Sequence, residues 1–89
     1  MFTVTRPARA YLAAGLDSAN APDGLIMRLI LQDESLDARV DHVRAGDVTF
    51  EHKGQTVLAI DAETAEVLED YTLEMQETPD GSRLHLREP

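Results

Sequence analysis

Cysteine is absent from this chain. Within these residues that excludes a disulfide framework, a thiolate metal site and a thiol nucleophile. Tryptophan is absent too, and the only aromatics are two Tyr and two Phe. A core must therefore come from Leu, Ile, Val, Ala and Met. Positive charge is scarce: 8 Lys and Arg stand against 17 Asp and Glu, a formal net charge of −9. Such a surface repels phosphate backbones and anionic lipid, so neither nucleic acid nor a membrane is expected as a partner. Solubility through mutual repulsion is its simpler consequence. No apolar run approaches the roughly 18 residues that a spanning helix needs. Met1–Arg6 has no basic start leading into a long apolar stretch, so no signal peptide is expected and the cytoplasm is the default location.

What remains is one small domain over residues 1–89. A chain of this size buries roughly 60–65% of its unfolded surface, so its stability is modest unless it self-associates. Its organising stretch is Arg44–Asp61, RAGDVTFEHKGQTVLAID. Two alternating apolar runs are separated by Lys53-Gly54, preceded by Ala45-Gly46-Asp47 and followed by an aspartate that can start a helix, which is a hairpin signature.

On the N-terminal side, Phe2–Val4 reads as a short strand. Thr5 is a helix cap with Pro7 in the first turn, and Ala8, Tyr11, Leu12, Gly15 or Leu16, and Ala19 recur at helical spacing. The helix should fade in the turn-forming cluster Asn20–Gly24. Leu25–Gln32, LIMRLILQ, reads as a strand buried on both faces and interrupted by Arg28. Gln32–Ser35 is polar and serves as a connection. In Leu36–Val43, Leu36, Ala38, Val40 and His42 share one face, and Asp37, Arg39 and Asp41 the other. This strand is expected to pair with the next; a four-residue loop at Arg44–Asp47 would put Val48 and Phe50 on the face opposite Val40 and Ala38, so a three- or five-residue loop, or a bulge, is expected.

Beyond the hairpin, Asp61 should cap a second helix running to about Glu69, with Glu63 in its first turn and Ala65 and Leu68 as its apolar stripe. Tyr71–Glu77 is a strand with Tyr71, Leu73 and Met75 inward. Thr78-Pro79-Asp80-Gly81 is a turn, and Ser82–Arg87 returns with Leu84 and Leu86 inward. Matching the apolar sets pairs Leu73 with Leu86 and Met75 with Leu84, and puts His85 outward beside Glu74.

The order of these elements, with the GD of Arg44-Ala45-Gly46-Asp47 and the FExxG of Phe50-Glu51-His52-Lys53-Gly54, resembles the HesB/IscA family of A-type iron–sulfur carriers. It resembles still more closely that family's degenerate, cysteine-free relatives. The likeness covers essentially the whole chain. It implies an α+β HesB-like domain: a compact mixed and antiparallel β-sandwich or pseudobarrel with two helices packed outside. It also allows a homodimer. Family members hold their cluster with three cysteines, one in a Gly-Cys-Ser-Gly segment and two in a C-terminal Cys-Gly-Cys tail. Here the first place is taken by Gln32-Asp33-Glu34-Ser35, and Glu88-Pro89 stands where the tail is expected. Sulfide-bridged iron needs soft thiolates, so no family site residue carries over, and no cofactor is expected.

The remaining candidates have plain readings beside functional ones. His42 and His52 on neighbouring strands suggest a metal pair, but also two satisfied boundary histidines. His85 with Glu74 is a surface pair or a catalytic one. Asp33, Glu34, Asp37 and Asp41 form an acidic edge that lacks the fixed spacing of a calcium loop. Ser18, Ser35 and Ser82 have no paired base in a recognisable motif. No catalytic, cofactor or metal residue is assigned. The expected function is non-enzymatic, through contacts with an unidentified protein. The alternatives are an iron–sulfur assembly accessory or weak iron binder using Asp, Glu and His, and, last, a small hydrolase.

Overall fold

The computed structural model describes residues 1–32 and 35–89. Strand β1 (Thr3–Val4) leads into helix α1 (Arg6–Ser18), then β2 (Leu25–Gln32), β3 (Ser35–His42), β4 (Val48–His52), β5 (Gln55–Ile60), α2 (Ala62–Val67), β6 (Thr72–Thr78) and β7 (Gly81–Arg87). The strands form two sheets, ordered β1-β6-β7 and β3-β2-β5-β4, which are not closed into a barrel. This is the mixed α+β architecture expected from the sequence, in its two-sheet form.

Local chemistry sets the element ends. The Thr5 hydroxyl accepts from the Ala8 N–H at 3.4 Å, and Pro7 sits where a missing N–H costs little. The Asp61 carboxylate accepts from the Thr64 N–H at 2.7 Å and starts α2. Helix α2 is shorter than its sequence suggests, ending at Val67. A turn follows, in which Tyr71 N–H donates to the Leu68 carbonyl at 2.9 Å and swings the chain into β6. Between β4 and β5 the chain reverses over Lys53 and Gly54, at φ 52° and 81°. Two successive positive φ values match the right-handed twist of the flanking strands, which is why Gly follows here. The β6–β7 ladder pairs Leu73 with Leu86 and Met75 with Leu84, the register that side-chain alternation requires.

The core lies where α1 meets both sheets. Phe2, Val4, Ala8, Leu12, Leu16, Leu29, Leu58, Ile60, Leu68 and Leu73 are buried together there. Helix α1 touches β2 and β5 of one sheet and β6 of the other. Phe2 and Phe50 meet edge to face, with centroids 5.6 Å apart. Arg9 lies over the Phe50 ring at 5.6 Å and donates to the Val4 and Glu51 carbonyls. That set ties the N-terminal strand and α1 to β4.

One expectation from the sequence fails. Strands β3 and β4 do not pair; they occupy opposite edges of the four-stranded sheet. β3 forms a hairpin with β2, from Leu25↔His42 to Gln32↔Ser35, while β5 lies parallel to β2 through Met27↔Leu58 and Arg28↔Ala59. The expected parity of the loop around Arg44–Asp47 therefore has no β3–β4 ladder to act on. A bulge does occur, between Phe50 and Glu51, but it belongs to the β4–β5 ladder. The side-chain period assigns faces and not neighbours, so the sequence pattern is equally satisfied by either partner for β4. The expected connection at Gln32–Ser35 falls partly on residues 33–34, outside the described residues.

Leu73 is fully buried, whereas Val67 is 66% exposed. Leu73→Ala should therefore cost about 2–5 kcal/mol of unfolding free energy, and Val67→Ala no more than about 0.5 kcal/mol. Urea denaturation of the two variants checks this; equal losses would contradict the placement of the core.

Candidate functional site

Two features stand out once the core is set aside: an ionic network on the second face of the four-stranded sheet, and an open cleft between the two sheets.

In β2, Met27 and Leu29 face the core, so Ile26 and Arg28 project to the opposite face. Both are buried, Arg28 with 7% of its surface exposed. A buried guanidinium must have its donors satisfied and its charge matched. Nε donates to Asp41 at 2.7 Å; the two terminal nitrogens donate to Asp47 at 3.1 and 2.6 Å, and one of them also to the His42 carbonyl at 2.9 Å. The Asp47 side chain is 3% exposed. It also accepts from the Arg44 N–H at 2.7 Å, while the Asp47 N–H returns to the Arg44 carbonyl at 3.1 Å. Gly46, at φ 86°, supplies the left-handed residue of this turn. The Gly-Asp pair singled out in the sequence is thus a turn whose aspartate clamps Arg28. The side-chain hydrogen bonds from Arg28, then the Arg44 N–H, hold the Asp47 carboxyl down at about 2. Asp41 is also held below the usual carboxylate range, first by the His42 N–H and then by Arg28. Arg28, in turn, is held more firmly protonated, chiefly by Asp47.

The cleft, of about 890 Å3, opens between α1, the β2–β3 hairpin and β7. Leu12, Met27, Leu31, Leu36, Leu84 and Leu86 give it an apolar lining, and Tyr11, Ser18, Asp37, Arg83 and His85 add polar groups. Gly15 lets α1 approach β2, since a Cβ there would stand 3.0 Å from the Met27 methyl. β3 and β7 are the outer strands of their sheets, so they show side chains of both faces to this opening.

The sequence candidates are scattered. His42 ends β3 on one edge of the sheet and is exposed; His52 ends β4 on the other edge and is half-buried. They are not neighbours, because β2 and β5 separate their strands. His85 stands opposite Glu74 in register, but the Glu74 carboxylate meets Arg87 at 3.0 Å, and His85 is half-buried in the cleft wall. The expected outward Glu–His pair is therefore replaced by Glu–Arg. Of the acidic edge, Asp33 and Glu34 lie outside the described residues. Asp37 meets Arg39 at 3.4 Å, and Asp41 is shared between Arg28 and Arg44. Ser18 lines the cleft without a hydrogen-bonded base among the described residues, Ser82 bonds Glu77 at 3.3 Å, and the side chain of Ser35 lies outside the described part. No three His, Asp or Glu side chains converge on a common point among the described residues.

The sequence reading missed Arg28 as anything but an interruption. A charged residue inside an eight-residue apolar strand, with a Gly-Asp turn downstream, was the available signal.

The donors in and around the cleft are carboxylate, imidazole, hydroxyl and guanidinium. An iron–sulfur cluster takes thiolates, with imidazole at most in part. The residues present do not fit such a cluster.

No family model matches the sequence, and no curated protein matches it. Solved structures do. Escherichia coli SufA, described as involved in biosynthesis of iron–sulfur clusters, superposes with a TM-score of 0.70 at 18% identity, covering 99% of this chain and 85% of its own. IscA, solved with its 2Fe–2S cluster, gives a TM-score of 0.63 at 22% identity over 100% of this chain and 86% of its own. A protein from Aquifex aeolicus, solved by solution NMR, gives 0.67 at 21% identity over 99% and 91%. At these identities the likeness is one of fold: this chain has the HesB/IscA-like fold along its whole length.

The Asp47 carboxyl provides a pH test. Its folded value, about 2, is depressed below the unfolded value of about 3.9. Its contribution is therefore present above about pH 4 and lost as pH falls towards 2. Thermal melts from pH 6 to 2 should show a steeper loss for the parent below pH 4 than for Asp47→Asn, which starts lower at neutral pH. Parallel curves would contradict the clamp.

Proposed function

We propose, from the HesB/IscA-like fold as premise, that residues 1–89 form a single non-enzymatic domain that acts through protein contacts and carries no iron–sulfur cluster. The observation that carries this reading is the pairing of a full-length fold match with a donor set that has no thiolate. SufA and IscA are tied by their descriptions to iron–sulfur clusters; the chemistry that such a cluster demands is missing from this chain. An enzymatic role finds no support, since the cleft offers no hydrogen-bonded nucleophile and base among the described residues. The cleft, with an apolar floor and polar groups at Asp37, Arg83 and His85, suits a protein surface, either a second copy of the chain or a different partner. The cytoplasm is the proposed location, and among the described residues no helix is long and apolar enough to cross a membrane.

A second reading is favoured by the identity of the neighbours in fold. The chain would serve iron–sulfur assembly as an accessory, binding iron weakly through Asp, Glu and His. Oxygen and nitrogen ligands of this kind accept iron without sulfide.

Anaerobic reconstitution with ferrous iron and sulfide, followed by desalting, separates these readings from cluster carriage. The expected product is colourless, with less than stoichiometric iron and sulfide. A stable brown protein with stoichiometric iron and sulfide would overturn the proposal. Ferrous iron alone should leave the melting temperature unchanged. A saturable rise would favour the accessory reading, because a ligand that binds only the folded state raises stability in proportion to the logarithm of its concentration.

A further inference from the structure

The eight cations of this chain are not distributed as its acidity would suggest. Arg28, Arg39, Arg44 and Arg87 each hold a carboxylate within 3.4 Å. Arg83 donates to the Gln76 side-chain oxygen. The three others, Arg6, Arg9 and Lys53, hold no carboxylate among the described residues, although acids outnumber bases by 17 to 8. These same three line one pocket of about 540 Å3, together with Val4, Glu51 and His52.

The pocket is built as well as charged. Arg9 is fixed on three sides: Nε donates to the Val4 carbonyl at 3.1 Å, one terminal nitrogen donates to the Glu51 carbonyl at 2.8 Å, and the guanidinium lies over the Phe50 ring. Its other terminal nitrogen has no acceptor among the described residues, so that nitrogen's two N–H groups, held in the plane these contacts fix, remain for charge-assisted hydrogen bonds to an oxyanion. Arg6 and Lys53 are exposed and free to adjust around it. Arg6 and Arg9 also occupy the first turn of α1, which contains no acidic residue. The helix dipole disfavours cations there, and an anion in the pocket would offset that repulsion together with the mutual repulsion of the three cations. The excess negative charge elsewhere does not forbid this, because exposed charges beyond about 8 Å are largely screened at physiological salt.

We propose that this pocket binds a small polyphosphate-type oxyanion, with Arg9 as the fixed donor and Arg6 and Lys53 as the mobile ones. Three separate cations around one recess offer donors to both phosphate groups of a diphosphate at once, and with the single carboxylate Glu51 included the lining stays net positive.

The test titrates isotope-labelled protein with inorganic pyrophosphate, at ionic strength held constant with sodium chloride, and follows backbone amides by NMR. Saturable shifts are expected at Ala8–Ala10 and Glu51–Gly54, with inorganic phosphate binding more weakly. Arg6→Gln with Lys53→Gln removes two exposed cations without touching the core. That variant should keep its melting temperature and lose pyrophosphate affinity by about tenfold or more, the equivalent of one charge-assisted hydrogen bond. Should it fail to fold, the shift map of the unaltered protein decides alone. Shifts that do not saturate, that centre elsewhere, or that survive the double substitution would overturn the proposal. So would tighter binding of a single-stranded oligonucleotide than of pyrophosphate, which would assign the pocket to nucleic acid.

Discussion

A guanidinium buried on the outer face of a sheet must be neutralised in place, and that requirement shapes this molecule. Arg28 sits in the middle of β2, beside Arg39 of β3 and Ala59 of β5. Its partners are Asp41 and the His42 carbonyl at the end of β3, and Asp47 at the entry to β4. The chain between them must pass from one edge of the sheet to the other, across three inter-strand steps of about 4.8 Å each. Residues 43–47 have little length to spare for that crossing, and the Arg44–Asp47 turn gathers part of it back. The clamp decides where the crossing is pinned. A buried ion pair adds little net stability over an apolar substitute, yet removing one partner leaves a charge stranded. Here it joins the end of β3 and the entry to β4 to the middle of β2, in an order, β3-β2-β5-β4, that differs from the hairpin order alternation alone invites.

Much of the rest was legible because it is local. Thr5 and Asp61 announce helix starts through side chains that reach only three residues along. Lys53-Gly54 announces a tight reversal, and the β6–β7 register follows from matching Leu73 and Met75 with Leu86 and Leu84. What was not legible depends on distant partners. Arg28 reads as a blemish in LIMRLILQ until Asp41 and Asp47, 13 and 19 residues away, are brought to it. The parallel pairing of β2 with β5 leaves no trace in alternation. The cleft wall at His85 exists because β7 has no outer neighbour, a fact of topology that no window of sequence contains.

The same distinction separates fold from function. The HesB/IscA-like fold rests on apolar spacing, caps and turns, all of which survive in this chain at 18–22% identity to SufA and IscA. Cluster chemistry rests on a few thiolates, and none is present. Scaffold and site are held by different residues, so a likeness of fold does not carry a site with it. In this chain polar groups are held in the network around Arg28, in a cationic recess beside α1, and, as Asp37, Arg83 and His85, along an otherwise apolar cleft between the sheets.

The clamp is tested most directly by a double-mutant cycle on Arg28 and Asp47, using Arg28→Met, Asp47→Leu and the pair together, each measured by urea denaturation. Asp41 retains Arg44 at 3.0 Å, so the stranded partner in Arg28→Met is Asp47. The account predicts that Arg28→Met alone is severely destabilised and that the double variant recovers a large part of the loss, because no charge is then left buried alone. Strictly additive losses would contradict it, showing that the two side chains act independently and that the crossing is held by something else.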